Sequence, residues 1–90
     1  MSKQRFSAEE ARSIGDTIGI EWATIPLEEF RMGLAVELEH GAHDATTDVT
    51  HDDAVATGKI AWAHLKEFPD YYTRLSKMEA EAERYWARRN

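Results

Sequence analysis

Apolar residues recur every three to four positions in four separate segments of the chain. This spacing places them on one face of an α-helix, whereas a half-buried β-strand would need strict alternation, which no segment shows. The pattern therefore predicts an all-α fold, a compact four-helix single domain that spans residues 1–90. The expected helices cover about residues 7–18, 26–40, 51–68 and 69–88.

Two features mark the ends of the first helix. Ser7 and Glu10 have the spacing of a capping box, in which each side chain accepts a hydrogen bond from the other residue's backbone amide. Gly19 follows the last apolar position, where a glycine commonly ends a helix in the left-handed conformation. The first helix should therefore begin just after Ser7 and end just before Gly19.

Prolines and a glycine divide the rest of the chain. Pro26 is expected in the first turn of the second helix, and Gly41 is expected to stop that helix. A second capping-box-like sequence at Thr50 predicts the start of the third helix. Pro69 cannot continue a helix, so it should end the third helix and begin the fourth.

One polar cluster stands out against this apolar pattern. Glu37 and His40 are three residues apart near the end of the second helix, and His64 and Glu67 have the same spacing in the third. Imidazole and carboxylate groups are ligands for zinc or iron, so four such side chains could form a metal site if the two helix ends meet.

The same cluster also has a purely structural interpretation. His64 falls on the apolar face of the third helix, where we expect a buried histidine. Its ring nitrogens would then be satisfied by Glu37, a tyrosine hydroxyl or a backbone carbonyl. Catalysis with His64 as a general base is a third interpretation, and it requires a cleft beside the ring. We take the structural interpretation as the first hypothesis.

A different set of residues suggests an interface. The second helix is apolar around most of its circumference, because Met32 and Val36 lie away from its main apolar face; it should therefore be central or face a partner. Trp62 lies on the side of the third helix opposite His64, where solvent is expected, and tryptophan is enriched at interfaces. These three residues predict a contact with a partner or a second copy.

Composition excludes several classes of function. The chain has no cysteine, so disulfides and thiolate chemistry are excluded. Its formal net charge is −6, with 11 basic against 17 acidic residues, which argues against nucleic-acid binding. No apolar run approaches the ~20 residues of a membrane span, and the first residues lack the apolar stretch of a signal peptide. A cytoplasmic protein without a membrane or nucleic-acid partner is expected.

Two segments resemble a known family. Residues 30–41 and 58–75 carry the motif E-x-E-H, a spacer, and then A-x-x-H-L-x-E-x-P-x-Y-Y. This motif is similar to that of an uncharacterised family of small helical domains of unknown function, met in bacterial and bacteriophage hypothetical proteins. The resemblance covers about residues 6–86 and implies no established activity. The matching positions are Glu37, Glu39, His40, His64, Leu65, Glu67, Pro69, Tyr71 and Tyr72.

The sequence therefore favours a non-enzymatic helical module that acts through protein–protein contacts. The apolar second helix and Trp62 allow for a homo-oligomer, and the resemblance allows for an association with phage. No cofactor is expected under this hypothesis. The alternative is a metal-binding protein that holds zinc or iron with Glu37, His40, His64 and Glu67.

Overall fold

The computed structural model describes residues 6–43 and 53–89. Four helices follow one another along the chain, and no strand occurs within these ranges, so the predicted all-α fold is confirmed. None of the helices in the described ranges is long and apolar enough to cross a membrane. The helices are α1 (Ala8–Ile18), α2 (Leu27–His43), α3 (Ala54–Glu67) and α4 (Tyr71–Arg89).

Both predicted ends of α1 are confirmed. The Ser7 side chain accepts a hydrogen bond from the Glu10 amide at 3.1 Å, and Glu10 accepts one from the Ser7 amide at 2.9 Å. Gly19 adopts a φ of 91°, and the Ile20 amide donates to the Gly15 carbonyl at 2.9 Å. These bonds satisfy amides and carbonyls that a helix end leaves without partners inside the helix.

The ends of the other three helices differ from the prediction by one to three residues. α2 continues through Gly41 to His43, since a glycine weakens a helix without being compelled to end it. α3 begins at Ala54, and its cap is Asp53, whose side chain accepts from the amides of Val55 and Ala56 at 2.8 and 3.1 Å. The predicted start at residue 51 and its Thr50 cap fall in the range 44–52, outside the described residues.

The boundary between α3 and α4 also differs, because α3 ends at Glu67, one residue earlier than expected, and α4 starts at Tyr71, two residues later. Phe68 is extended, with φ −140° and ψ 118°, because a residue before proline is kept out of the helical region. Pro69 and Asp70 form a turn, in which the Tyr71 amide donates to the Phe68 carbonyl at 3.0 Å. The break at Pro69 therefore separates the two helices, and α4 starts only at Tyr71.

α2 packs against each of the other three helices, as expected of a central helix, and α3 does the same, so the two share the centre of the fold. Phe30, Leu34 and Leu38 on its inner face are buried. The Phe30 ring meets the edge of Trp22 from the connection after α1, with 5.7 Å between ring centroids. The remaining buried hydrophobic residues are Phe6, Ala11, Ile20, Ile25, Ala61, Leu65 and Tyr72.

α4 is attached to this core by its first turns. Tyr72 is buried and Leu75 is half-buried, whereas the apolar side chains further along the helix are exposed. The exposed fraction is 59% for Met78, 50% for Tyr85 and 62% for Trp86. The apolar face on the second half of α4 is therefore mostly exposed rather than packed against the core.

Candidate functional site

The beginning of α4 is fixed by a buried tyrosine. The Tyr72 ring lies over Gly33 of α2, so close that a Cβ atom on Gly33 would stand 2.4 Å from its Cε2 atom. Its hydroxyl donates a hydrogen bond to Glu37 Oε2 at 2.7 Å. The Nδ1 atom of His64, from α3, lies 3.0 Å from both the Tyr72 hydroxyl and Glu37 Oε2. Three helices thus meet in one polar cluster: Glu37, His64 and Tyr72.

The hydrogen-bond geometry places the protons in this cluster. A tyrosine hydroxyl has one proton to donate, and the Tyr72 proton goes to Glu37. His64 Nδ1 therefore carries a proton and donates it to the Tyr72 and Glu37 oxygens. In the neutral imidazole, Nε2 is then the nitrogen that holds a lone pair. The Glu37 carboxylate accepts from both neighbours and fixes the orientation of the His64 ring.

Two rings enclose the cluster. The Tyr71 ring stacks on His64, with 4.6 Å between centroids and 5° between ring planes. It also meets the Tyr72 ring edge-on, at 5.0 Å between centroids. Burial of Tyr72, followed by its hydrogen bond to the Glu37 carboxylate, raises the pKa of the Tyr72 phenol far above its ordinary value. The Tyr72 hydroxyl is therefore a permanent donor at physiological pH.

The expected partners of His64 are present, but its expected burial is wrong. Glu37 and a tyrosine hydroxyl were the predicted partners, and both are found. The His64 side chain is nevertheless 34% exposed. The buried face of α3 is formed by Thr57, Ala61 and Leu65, and His64 lies on the flank of that face rather than at its centre.

The four predicted metal ligands are only partly brought together. Glu37 and His64 are in contact, Glu67 is exposed on α3, and the His40 side chain lies outside the described residues. Among residues 6–43 and 53–89, no group of three or more His, Cys, Asp or Glu side chains is arranged to hold a metal ion. Zinc or iron binding stays a prediction, which elemental analysis of the purified chain would test.

The sequence analysis missed the role of Glu29. Its side chain is buried and accepts hydrogen bonds from the Tyr72 amide at 3.0 Å and the Thr73 amide at 3.2 Å, as well as from the Thr73 hydroxyl. These amides begin α4, so a carboxylate from α2 caps another helix. The signal was its spacing, since Glu29, Gly33 and Glu37 recur every four residues on one side of α2.

Of the three predicted interface residues, Trp62 is less exposed to solvent than expected. It is half-buried and packs against the core, and Lys66 Nζ lies 4.1 Å from the centre of its ring. Met32 and Val36 are also half-buried, and they line a groove between α2 and α4 together with Leu75. The groove therefore adjoins the exposed face of α4, while Trp62 lines a different hollow, beside Leu65.

The groove continues along α4. The residues that line it are Arg31, Met32, Ala35, Val36, Tyr72, Leu75, Ser76 and Glu79. A second hollow on α4 is lined by Glu79, Ala82, Glu83 and Trp86. Because Glu79 belongs to both, the two hollows adjoin each other along α4, and we call them together the α4 channel.

Tyr72→Phe is expected to lower the free energy of unfolding by about 1–2 kcal/mol, because Glu37 and His64 lose a shared partner while the buried ring remains. Urea denaturation followed by circular dichroism measures the change. Tyr71→Phe is the matched control, since it keeps the Tyr72 hydroxyl in place. Equal stability of the two variants would show that the cluster does not stabilise α4.

The same variant tests a pH dependence. The ordinary tyrosine pKa is 10.0, and the folded chain raises the pKa of Tyr72 by burial and by the adjacent carboxylate. Folding favours the neutral phenol, so this stabilisation is complete below the unfolded pKa and is lost as the pH rises above about 10. Phenolate absorbance of one tyrosine should therefore appear together with alkaline unfolding, and Tyr72→Phe should lack that step. Ionisation of every tyrosine in a still-folded chain would contradict this.

Comparison with known proteins places the chain in a family. A family model described as "Protein of unknown function (DUF5661)" matches residues 11–81. The match includes both segments that resemble an uncharacterised helical family, so that resemblance is confirmed. No curated protein and no solved structure has a significant match. Because the family model covers well over half of its length, the chain belongs to the DUF5661 family of proteins of unknown function.

Proposed function

We propose that the chain is a non-enzymatic helical module that acts through protein–protein contacts made by the outer face of α4. The observation that carries this proposal is the row of exposed apolar side chains on that helix. Met78, Tyr85 and Trp86 are all at least half exposed. We call the face that carries this row the α4 stripe; it begins at the half-buried Leu75 and continues with the exposed residues Met78, Ala82, Tyr85 and Trp86.

The spacing of the α4 stripe supports a contact surface. Residues three, four and seven positions apart lie on one side of a helix, so these side chains form one continuous face rather than scattered exposed residues. Tyr85 and Trp86 also pack edge-to-face, with 5.1 Å between ring centroids. Tyrosine and tryptophan are the residue types that contribute most often to binding energy at interfaces.

The magnitude of the apolar contribution shows how far the contact must extend. Met78, Tyr85 and Trp86 are already partly covered, so completing their burial contributes roughly 3–5 kcal/mol. Association costs an estimated ~4–15 kcal/mol in lost freedom of motion. A stable contact therefore has to include the adjoining groove lined by Met32 and Val36.

Site-specific photo-crosslinking tests this proposal. A benzoyl-phenylalanine residue in place of Trp86 is expected to give discrete protein adducts in cells that express the full chain. The matched control carries the same group in place of Arg84, which is also exposed but lies on the opposite side of α4. It should give no such adducts, because it faces away from the α4 stripe.

A third variant links the adducts to the apolar surface. Met78→Glu places a charge in the middle of the α4 stripe at an exposed position, where the fold should tolerate it. It should remove the adducts from position 86. The mass of an adduct also identifies its partner, since a second copy would add the 10.3 kDa of the chain itself. Equal adducts from both positions, or none from position 86, would contradict the proposal.

A further inference from the structure

The charges along the α4 channel are not evenly distributed. Glu79 and Glu83 stand along its edge on α4, and both are exposed. Arg31 of α2 also lines the groove, but its guanidinium is paired with Glu28 on the same helix. Two carboxylates of α4 therefore border the apolar channel.

The other flank of the α4 stripe is different. It carries Arg74, Glu81 and Arg88, a mixture of charges, and Arg74 is paired with Asp70 at 2.8 Å. Among the residues of α4, only those on the channel side of the α4 stripe carry charges of one sign, and these are acidic. A partner that lies in the channel meets negative charge along one edge and apolar side chains on the floor.

We propose that the α4 channel binds an amphipathic helix of another protein, with lysine or arginine side chains beside its apolar face. This inference rests on the proposed function and adds the chemistry of the partner. In its first part the channel is a groove between α2 and α4, and an amphipathic helix is the element that commonly occupies such a groove. Beyond Glu79 the channel lies on α4 alone. From Leu75 to Trp86 the channel follows α4 for roughly 16 Å, which is the length of about three helical turns.

Charge disfavours a second copy of the chain as the occupant. If α4 packs antiparallel against its own copy, the same edge of each helix meets the same edge of the other. Glu79 and Glu83 would then face Glu79 and Glu83, and like charges brought together across an interface are repulsive. A basic flank on a different protein removes this repulsion and pairs with both carboxylates.

Model peptides test the proposed chemistry directly. The probe is a labelled amphipathic helix of about 14 residues, with leucines on one face and lysines on both sides of them. One control peptide has the same composition in scrambled order, and another has glutamate in place of each lysine. Fluorescence anisotropy should show that the purified full chain binds the patterned basic peptide at least tenfold more tightly than either control.

Two matched charge reversals locate the binding surface. Glu79→Lys combined with Glu83→Lys reverses the edge of the channel and should weaken binding of the basic peptide about tenfold or more, because attraction becomes repulsion. Glu81→Lys combined with Glu9→Lys changes the net charge equally at exposed sites away from the channel. This control should change the affinity less than about twofold. Circular dichroism shows that both variants remain helical.

Several results would overturn the inference. Equal binding of patterned and scrambled peptides, equal loss in both charge reversals, or no binding of the basic peptide would each do so. An adduct from position 86 at twice the mass of the chain would identify a second copy as the occupant instead. If position 86 forms adducts while the basic peptide fails to bind, the protein-contact function stands and the proposed partner chemistry is wrong. Absence of both adducts and binding removes both proposals.

Discussion

Gly33→Ala should lower the free energy of unfolding by about 2–4 kcal/mol, although the same change usually stabilises a helix. The added Cβ atom would lie 2.4 and 2.9 Å from two atoms of the Tyr72 ring and 3.0 Å from the Cβ atom of Ala61. Tyr72 is only 1% exposed, so its ring has no open space to enter. Displacing it would also break the hydrogen bond to Glu37.

The sign of the change in unfolding free energy distinguishes a tightly packed site at Gly33 from an open one. Alanine is favoured over glycine in a helix interior by roughly 1 kcal/mol, so an open site at Gly33 would give a more stable variant. Urea denaturation of the variant and the wild type, followed by circular dichroism, measures the difference. Unchanged or increased stability would show that Tyr72 does not pack over α2 as described.

Glu29→Ala is expected to cost about 2–4 kcal/mol of stability. The variant would leave the amides of Tyr72 and Thr73 without the carboxylate that caps them, together with the Thr73 hydroxyl. The first turn of α4 is held against α2 by these bonds. Its loss should therefore loosen the attachment of the whole helix, in addition to lowering global stability.

The neighbouring Glu28 provides the control for this change. It is exposed and pairs with Arg31 on the same helix. Ion pairs at the surface contribute typically less than about 1 kcal/mol, so Glu28→Ala should have a small effect. Thermal unfolding and amide hydrogen exchange of α4 distinguish the two variants. Similar losses for Glu28→Ala and Glu29→Ala would mean that the buried cap contributes nothing of its own.

Local signals were enough to predict the helices. The capping box at Ser7 and the left-handed Gly19 are decided by a few adjacent residues, and both were predicted correctly. Gly41 gave a misleading signal, because α2 continues through it. Phe68 is a large apolar residue, yet it is 51% exposed where the chain turns before Pro69. The break imposed by the proline, rather than the hydrophobicity of Phe68, decides where that side chain points.

Contacts between distant residues account for what the sequence did not reveal at the site. The partners of His64 could be predicted because a histidine on a largely apolar face needs a nearby polar group. Its exposure depends on how α3 rotates against α2, which no local pattern specifies. The hydrogen bonds that Glu29 accepts from Tyr72 and Thr73 join residues more than 40 positions apart. A local pattern therefore indicates only a favourable negative charge in the first turn of α2.

The structure also places the predicted interface residues differently from what the sequence indicated. Met32 and Val36 were expected to face a partner, and they line the groove beside α4. Trp62 was expected to be open to solvent but packs partly on the core. The exposed α4 stripe escaped prediction as an interface because its spacing is also that of an ordinary core-facing helix. Only the packing shows that Met78 and Trp86 are mostly exposed.

Photo-crosslinking at position 86, compared with position 84, tests most directly whether the α4 stripe is a protein-contact surface. The two positions lie on opposite sides of the same turn of α4, so they share the same expression level and local helix. We expect discrete adducts from position 86 that disappear with Met78→Glu, and none from position 84. Adducts of equal yield from the two positions, or their absence from position 86, would contradict a contact function for this face.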